Sequence, residues 1–232
     1  MSKIVALLPM KAHSERIRGK NFRDFNGKPL FRWMLDRLLA AEEIAAVVIN
    51  TDARSVLRGH GIAEGGRIVV RDRRPELCGD LVSMNRVLAD DVQIVDADIY
   101  LMTHVTNPLM SLDTIRRGIA AFRAALADDR HDSLFSVDRV QTRFYRADGT
   151  AVNHDPANLV RTQDLEPWFS ENSNMYLFTR ESFASTQARI GRRPMLFETP
   201  RIESLDIDEQ SDWDLALLAA RWLESHPTEF CA

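Results

Sequence analysis

The chain has 232 residues, 45% of them hydrophobic, and a net charge of −4. That supports one sizeable core, or one core with a small appendage, while the mild acidity excludes a dedicated nucleic-acid binder, which carries a basic excess. No apolar run approaches the length of a membrane span.

In chain order, Ile4–Leu8 is expected to be a buried strand. Pro29–Ala41 carries Leu30, Trp33, Met34, Arg37 and Leu38 at helical spacing, with Pro29 suited to a first turn. Ala46–Asn50 is a second strand, Ala53–His60 a short helix and Arg67–Val70 a third strand. Ser83 is expected to cap a helix running through Asp90. Asp98–Thr103 is a fourth strand, and Ser111 caps a helix whose apolar face is Ile115, Ile119, Phe122 and Leu126. Ser133–Val137 is a fifth strand. From Asp138 to Phe169 the alternation fails, and "RADGTAVNHDP" marks a turn-linked polar excursion, either a dimer arm or a mobile lid. Asn174–Phe178 and Met195–Thr199 follow as strands. Glu209–Glu224 closes the chain as a helix with Trp213, Leu217, Ala220 and Leu223 inward.

Strands alternating with helices predict an α/β fold, a mostly parallel sheet with helices on both faces. Residues 1–232 read as a single domain, with 138–169 as its excursion. Met1–Lys3 leads into an apolar stretch too short for a signal peptide. Cys78 and Cys231 are far apart and read as reduced thiols, so a cytoplasmic protein is expected.

Such sheets bind ligands beyond the carboxyl ends of their strands. The loop after the first strand carries Lys11, Ser14, Arg16, Arg18, Lys20 and Asn21, a concentration of cations and hydrogen-bond donors suited to a small anion such as a phosphate chain. Gly19 is expected to let the backbone approach it closely. The spacing matches neither Gly-x4-Gly-Lys-Ser/Thr nor Gly-x-Gly-x-x-Gly. The bland alternative is a solvated basic loop. Near the C-terminus, Asp206 and Asp208 stand two apart, so in an extended segment both carboxylates face one side. Hard oxygens of that kind suit Mg²⁺. Alternatively, Asp208 caps the last helix. Ser83 and an Arg74–Asp80 loop ion pair have ordinary structural readings as well. Histidines 13, 60, 131, 154 and 226 form no metal-ligand spacing.

"LPMKAHSERIRGKNF" resembles the N-terminal signature of the acylneuraminate cytidylyltransferase family, the CMP-sialic acid synthetases and their relatives. Pro9, Ser14, Gly19, Lys20 and Asn21 match it. The resemblance continues in order through "TDAR", "RRPELCGDLVSM", "THVTNPLMS", "VRTQDLEPWFSENSNMYLF" and "ESLDIDEQSDWDLA", over nearly the whole chain. It implies a Rossmann-like nucleotide-diphospho-sugar transferase fold and a homodimer built on an arm. It implies a Mg²⁺-dependent reaction of CTP with a small acidic sugar, giving a CMP-sugar and pyrophosphate.

Residue by residue, the resemblance implies that Lys11, Ser14, Arg16, Lys20 and Asn21 hold the triphosphate. Arg74, Asp80 and Ser83 would shape the nucleotide pocket, and Asp206 and Asp208 would hold the metal. His104, Asn107, Arg161, Gln163, Asn172 and Asn174 would meet the acceptor. Lys11 stands where the family usually has Arg, and Glu15 where Lys is common. Glu15 beside a triphosphate should pair with Arg16 or Arg18, or point away. His104 stands where relatives have a Gln that touches the sugar. Asn172-Ser173-Asn174 replaces Asn-Gly-Ala, which should shrink or re-polarise a sugar pocket. Those departures keep three rivals in view: another acceptor (octulosonate or a phosphonate), a non-catalytic nucleotide binder on the same fold, and a metal-dependent glycosyltransferase.

Overall fold

The computed structural model describes residues 2–226; Cys231 lies outside the described residues. The elements in chain order begin with β1 (Ile4–Leu7), a small hairpin of β2 (Asp24–Phe25) and β3 (Lys28–Pro29), α1 (Leu30–Ala40) and β4 (Ile44–Thr51). Then come α2 (Arg54–Gly59), β5 (Ile68–Asp72), α3 (Met84–Ile94), β6 (Ile99–Thr103) and α4 (Leu112–Ala127). The chain ends with β7 (Ser133–Val140), β8 (Trp168–Phe178), α5 (Arg180–Thr186), β9 (Pro194–Glu198) and α6 (Gln210–Ser225).

Among the described residues, seven strands form one sheet in the order β5-β4-β1-β6-β8-β7-β9. β5, β4, β1 and β6 run parallel, as do β7 and β9, while β8 is antiparallel to both its neighbours. The mostly parallel α/β sheet expected from the alternation is therefore present, in the Rossmann-like form that the resemblance implies. Every residue of β1 is buried, because helices cover both faces of the sheet. On one face, Phe31, Met34 and Leu35 of α1 and Ile115, Ile119 and Phe122 of α4 pack against Ile4, Ala6 and Ile49. On the other, Leu88 and Val92 of α3 and Phe183 of α5 pack against Val5, Leu7 and Tyr176. Full burial of each such side chain contributes roughly 1.5–3 kcal/mol.

A third apolar cluster sets the geometry of the cleft. Trp213, Ala216 and Ala220 of α6 pack against Phe25 and Leu30, together with Ile17 and Ile207. Ile17 belongs to the cationic loop, and Ile207 separates Asp206 from Asp208. Burying both isoleucines in one cluster draws the loop after β1 and the segment before α6 together.

Several local expectations are corrected. Ser83 makes no side-chain capping bond, and α3 runs four residues beyond Asp90, to Ile94. The last helix is capped by Glu209, whose carboxylate and Asp212 form a reciprocal box, so Asp208 is free of that task. Pro29 sits in β3 and precedes α1, because its extended ψ of 141° belongs to the hairpin. The hairpin β2–β3 and α5 escaped the periodicity reading; both are too short to show one. The polar excursion is narrower than 138–169, since β7 runs to Val140 and β8 begins at Trp168. Inside it, Phe144 stacks on Trp168 with ring centroids 5.1 Å apart. Gly19 is required for a different reason than close approach: its φ is +64°, and a Cβ there would meet open space.

Candidate active site

The loops following β1 and β6, the 73–84 segment and the segment before α6 meet at the carboxyl edge of the sheet. They enclose a cavity of about 350 Å³. Its wall includes Lys11, Ser14, Arg16, Lys20 and Asn21 from the first loop, Asp80, His104 and Asp208. Eight of the expected site residues therefore share one cleft. Arg73, Met84, His13 and Thr106 line it as well.

Lys20 is the anchor. It follows Gly19 in a tight 3-10 turn, Lys20–Phe22, and is only 7% exposed. Its Nζ donates to the main-chain oxygen of Ile207 and to Asp208 Oδ1 at 3.4 Å. Arg16 reaches the same carboxylate oxygen at 2.9 Å. Asn21 donates from Nδ2 to the carbonyl of Lys11 at 2.9 Å and so braces the loop. Lys11 closes onto Asp80, and this cation, first among the causes, holds the Asp80 carboxyl below its usual range. Glu15 lies in the same wall beside Asp80, rather than pairing with Arg16 or Arg18 or pointing away.

Asp206 is absent from the lining. Burial raises its carboxyl above the ordinary value, with Thr106 pulling the other way. Its Oδ1 is buried without a hydrogen-bond partner among the described residues. An orphaned carboxylate oxygen next to a cavity-facing Asp208 is a donor set that fits a hard cation. Among the described residues no group of three or more His, Cys, Asp or Glu could hold a metal. Mg²⁺ does not demand one, since it is commonly held by one or two carboxylates, waters and substrate phosphates.

Arg73 is the residue the sequence reading missed. It donates to Asn50 Oδ1 at 3.0 Å, to the Asn50 carbonyl at 2.9 Å and to the Met10 carbonyl at 3.4 Å. Burial lowers its pKa. Its sequence neighbour Arg74 stands outside the lining and pairs with Asp90 at 2.9 Å, not with Asp80. Ser83 is likewise displaced from the wall by Met84. Neighbouring side chains in extended backbone face opposite ways, which separates Arg73 from Arg74, whereas Met84 is the first residue of α3 and Ser83 precedes it.

His104, at the carboxyl end of β6, lines the cavity. Burial first, then Arg189, holds its imidazole down at about 4, so it is neutral near pH 7. Asn107 is fully buried, and neither polar atom of its side chain has a protein partner among the described residues. Asn172 donates from Nδ2 to Asp138, Thr199 and Ser204, and Asn174 donates to the Glu203 carbonyl. Both are spent on holding the bulged strand β8 to the 199–204 segment and lie outside the lining. Arg161 and Gln163 lie in the excursion, exposed, and Arg161 forks onto its neighbour Asp164.

A protein-family profile described as "Cytidylyltransferase" matches residues 5–218. The pseudaminic acid cytidylyltransferase of Campylobacter jejuni is 24% identical over 226 residues, covering 92% of this chain and 94% of that protein. The CMP-N,N'-diacetyllegionaminic acid synthase of Legionella pneumophila is 25% identical, with the same coverages of 92% and 94%. Among solved structures, a CMP:2-keto-3-deoxy-manno-octonic acid synthetase complexed with CTP superposes with a TM-score of 0.63. It is 17% identical, and the match covers 97% of this chain and 100% of that one.

Proposed function

The chain belongs to the cytidylyltransferase family, and on that footing we propose that it transfers CMP from CTP to a small sugar acid of the nonulosonic type, releasing pyrophosphate. The observation that carries this reading is the meeting of Lys20 and Asp208 across one cavity, with Arg16 joining them. Cations from one end of the chain and carboxylates from the other form the two halves of a phosphoryl-transfer site.

The acceptor's hydroxyl attacks the α-phosphorus in line, and pyrophosphate leaves. Lys11, Arg16 and Lys20 neutralise charge on the departing phosphates, and because Lys20 is already desolvated and fixed, little reorganisation is needed at that moment. Asp206 and Asp208 would hold Mg²⁺, which supplies Lewis-acid polarisation of a phosphoryl oxygen when bound. Arg73 offers a further cation to the nucleotide from the 73–84 segment.

The relatives named above act on pseudaminic and legionaminic acids, which supports a nonulosonic acid as acceptor. Octulosonate or a phosphonate is the second reading, favoured by His104 in the cleft wall. We place the excursion at a homodimer contact. Tyr145, Leu159 and Val160 are exposed there, Trp168 and Phe169 are exposed at the start of β8, and Leu196 of β9 is exposed on the strand pairing with β7. No helix among the described residues is long and apolar enough to cross a membrane; the free thiol of Cys78 suits a reducing cytoplasm. The deciding assay is pyrophosphate release from CTP and Mg²⁺ over a panel of nonulosonic acids, 3-deoxy-octulosonate and phosphonates. CTP binding without release across the whole panel would overturn catalysis.

A further inference from the structure

His104 faces two ways. One side of its ring is in the cavity wall; the other meets Arg189, whose Nη1 lies 3.5 Å from Nε2. Arg189 is itself tightly placed. Its guanidinium carbon stacks 3.7 Å from the centroid of the Tyr176 ring. Its Nη2 donates to the Tyr176 hydroxyl at 2.9 Å and to Glu171 at 3.3 Å, and Tyr176 in turn donates to Glu171. The Arg189 backbone N–H is tied to Asn85 on α3. A guanidinium has donors only and does not lose its proton. The ring nitrogen facing it must therefore be the acceptor, and in a neutral imidazole that puts the proton on Nδ1. Among the described residues Nδ1 has no hydrogen-bond partner.

We propose that Arg189 is a positioning residue that fixes His104 as the Nδ1–H tautomer, making His104 a hydrogen-bond donor to an oxygen of the second substrate and not a general base. The charged groups acting on the ring agree with this. Arg189 and Lys20 disfavour a second proton on the imidazole, and only Asp208 favours one. The ring thus stays neutral while presenting a donor. Specificity follows: an acceptor must offer an oxygen lone pair, a hydroxyl or carboxylate oxygen, at this wall, because a ligand lacking it leaves a desolvated N–H unpaired. The substrate part of this inference rests on the proposed transferase reading; the tautomer does not.

The test is the long-range ¹H–¹⁵N spectrum of the histidine side chains in the whole protein, with His104 assigned by the signal lost in H104Q. At pH 7 the wild type should show the Nδ1–H form at His104. R189M should revert it toward the commoner Nε2–H form, while R189K, which keeps a donor, should preserve it. A wild-type Nε2–H form, or an unchanged tautomer in a folded R189M, overturns the proposal; if R189M melts out, the wild-type and R189K spectra still decide. The kinetic arm uses the acid giving the fastest pyrophosphate release. Its KM should rise about tenfold in R189M and H104M, with H104Q recovering most of the H104M loss through its amide N–H. H104Q performing no better than H104M overturns the donor role. A panel with no release at all refutes the transferase and leaves the tautomer to stand or fall on its spectrum.

Discussion

Lys20 and Asp208 are 188 residues apart in the chain and 3.4 Å apart in the fold. The contact exists because Ile17 and Ile207, one in each segment, are buried in the same apolar cluster. Lys20 also satisfies the Ile207 carbonyl. Replacing Lys20 with Met should thus have two separable effects. Leaving that carbonyl unpaired costs about 1–3 kcal/mol of stability. Losing a preorganised cation should lower turnover by about 10²–10³-fold. Asp208→Asn should lower turnover comparably and melt between the wild type and Lys20→Met: its pair with Arg16 is half-exposed and worth under ~1 kcal/mol, while Lys20, its side chain 8% exposed, loses a countercharge but keeps its bond to the Ile207 carbonyl. Pyrophosphate release and thermal melts on both variants check this; near-normal turnover in either removes that residue from the chemistry.

Arg73 and Arg74 should separate cleanly. Arg73 faces the cavity and donates only to neutral oxygens, and among the described residues it makes no ion pair. Its charge is available to an anionic ligand. Arg74 is neutralised by Asp90 outside the cavity wall. Arg73→Met should raise KM for CTP by about 10- to 100-fold, the worth of one charged hydrogen bond. Arg74→Met should change it by less than about twofold, because its charge is held by Asp90 outside the cavity wall. The reverse order in steady-state kinetics would return the role to Arg74.

That pair also shows what was legible in the sequence. Lys11, Arg16, Lys20 and Asp208 could be found because charge density after a strand and carboxylate spacing are local signals, and the ordered motifs tied them to one reaction. Which of two adjacent arginines turns inward depends on the twist of the 73–84 segment against Met10 and Asn50, which no local pattern records. Ser83 failed for a related reason: a serine before an apolar helix has the composition of a cap, but the side chain makes no capping bond. Arg189 carried no signal at all. Its significance lies in Tyr176 and Glu171 of β8 and His104 after β6 converging on it from two separate stretches.

Asp91 offers a pH test of the interior. It is fully buried on α3, with Oδ1 accepting from Asn50 at 2.8 Å and from Arg71, and Oδ2 without a partner among the described residues. Burial pushes its carboxyl up to about 6, against the pull of Asn50 and Arg71. An unfolded Asp titrates near 3.9. The native chain therefore binds the extra proton between these values, and stability falls as pH rises through that window. The penalty reaches about 3 kcal/mol at most, two units at 1.36 kcal/mol each. Asp91→Asn mimics the protonated form. Denaturation from pH 4 to pH 7 should show its stability gaining on the wild type as pH rises, and a pH-independent difference would refute the shift.

Ser173 sits in β8, where the pairing with β7 slips between Phe135 and Val137, and its φ is +59°. A Cβ in that region costs roughly 1–2 kcal/mol. The strain is tolerated because the neighbours over-determine the backbone: Asn172 and Asn174 are each bonded to the 199–204 segment, and the Ser173 hydroxyl donates to the Tyr176 oxygen at 3.2 Å, the phenol's own proton going to Glu171. Ser173→Gly removes the clash but adds glycine's own entropic cost of roughly 0.5–1 kcal/mol and loses that hydrogen bond. With about 0.5–1.5 kcal/mol for the lost bond, the terms nearly cancel, and the melting temperature should stay within about 2 °C of the wild type. Ser173→Ala keeps the Cβ and loses the hydroxyl, so it should melt below the wild type. If glycine and alanine destabilise equally, the hydroxyl outweighs the backbone, and the bulge holds its shape through Tyr176 instead.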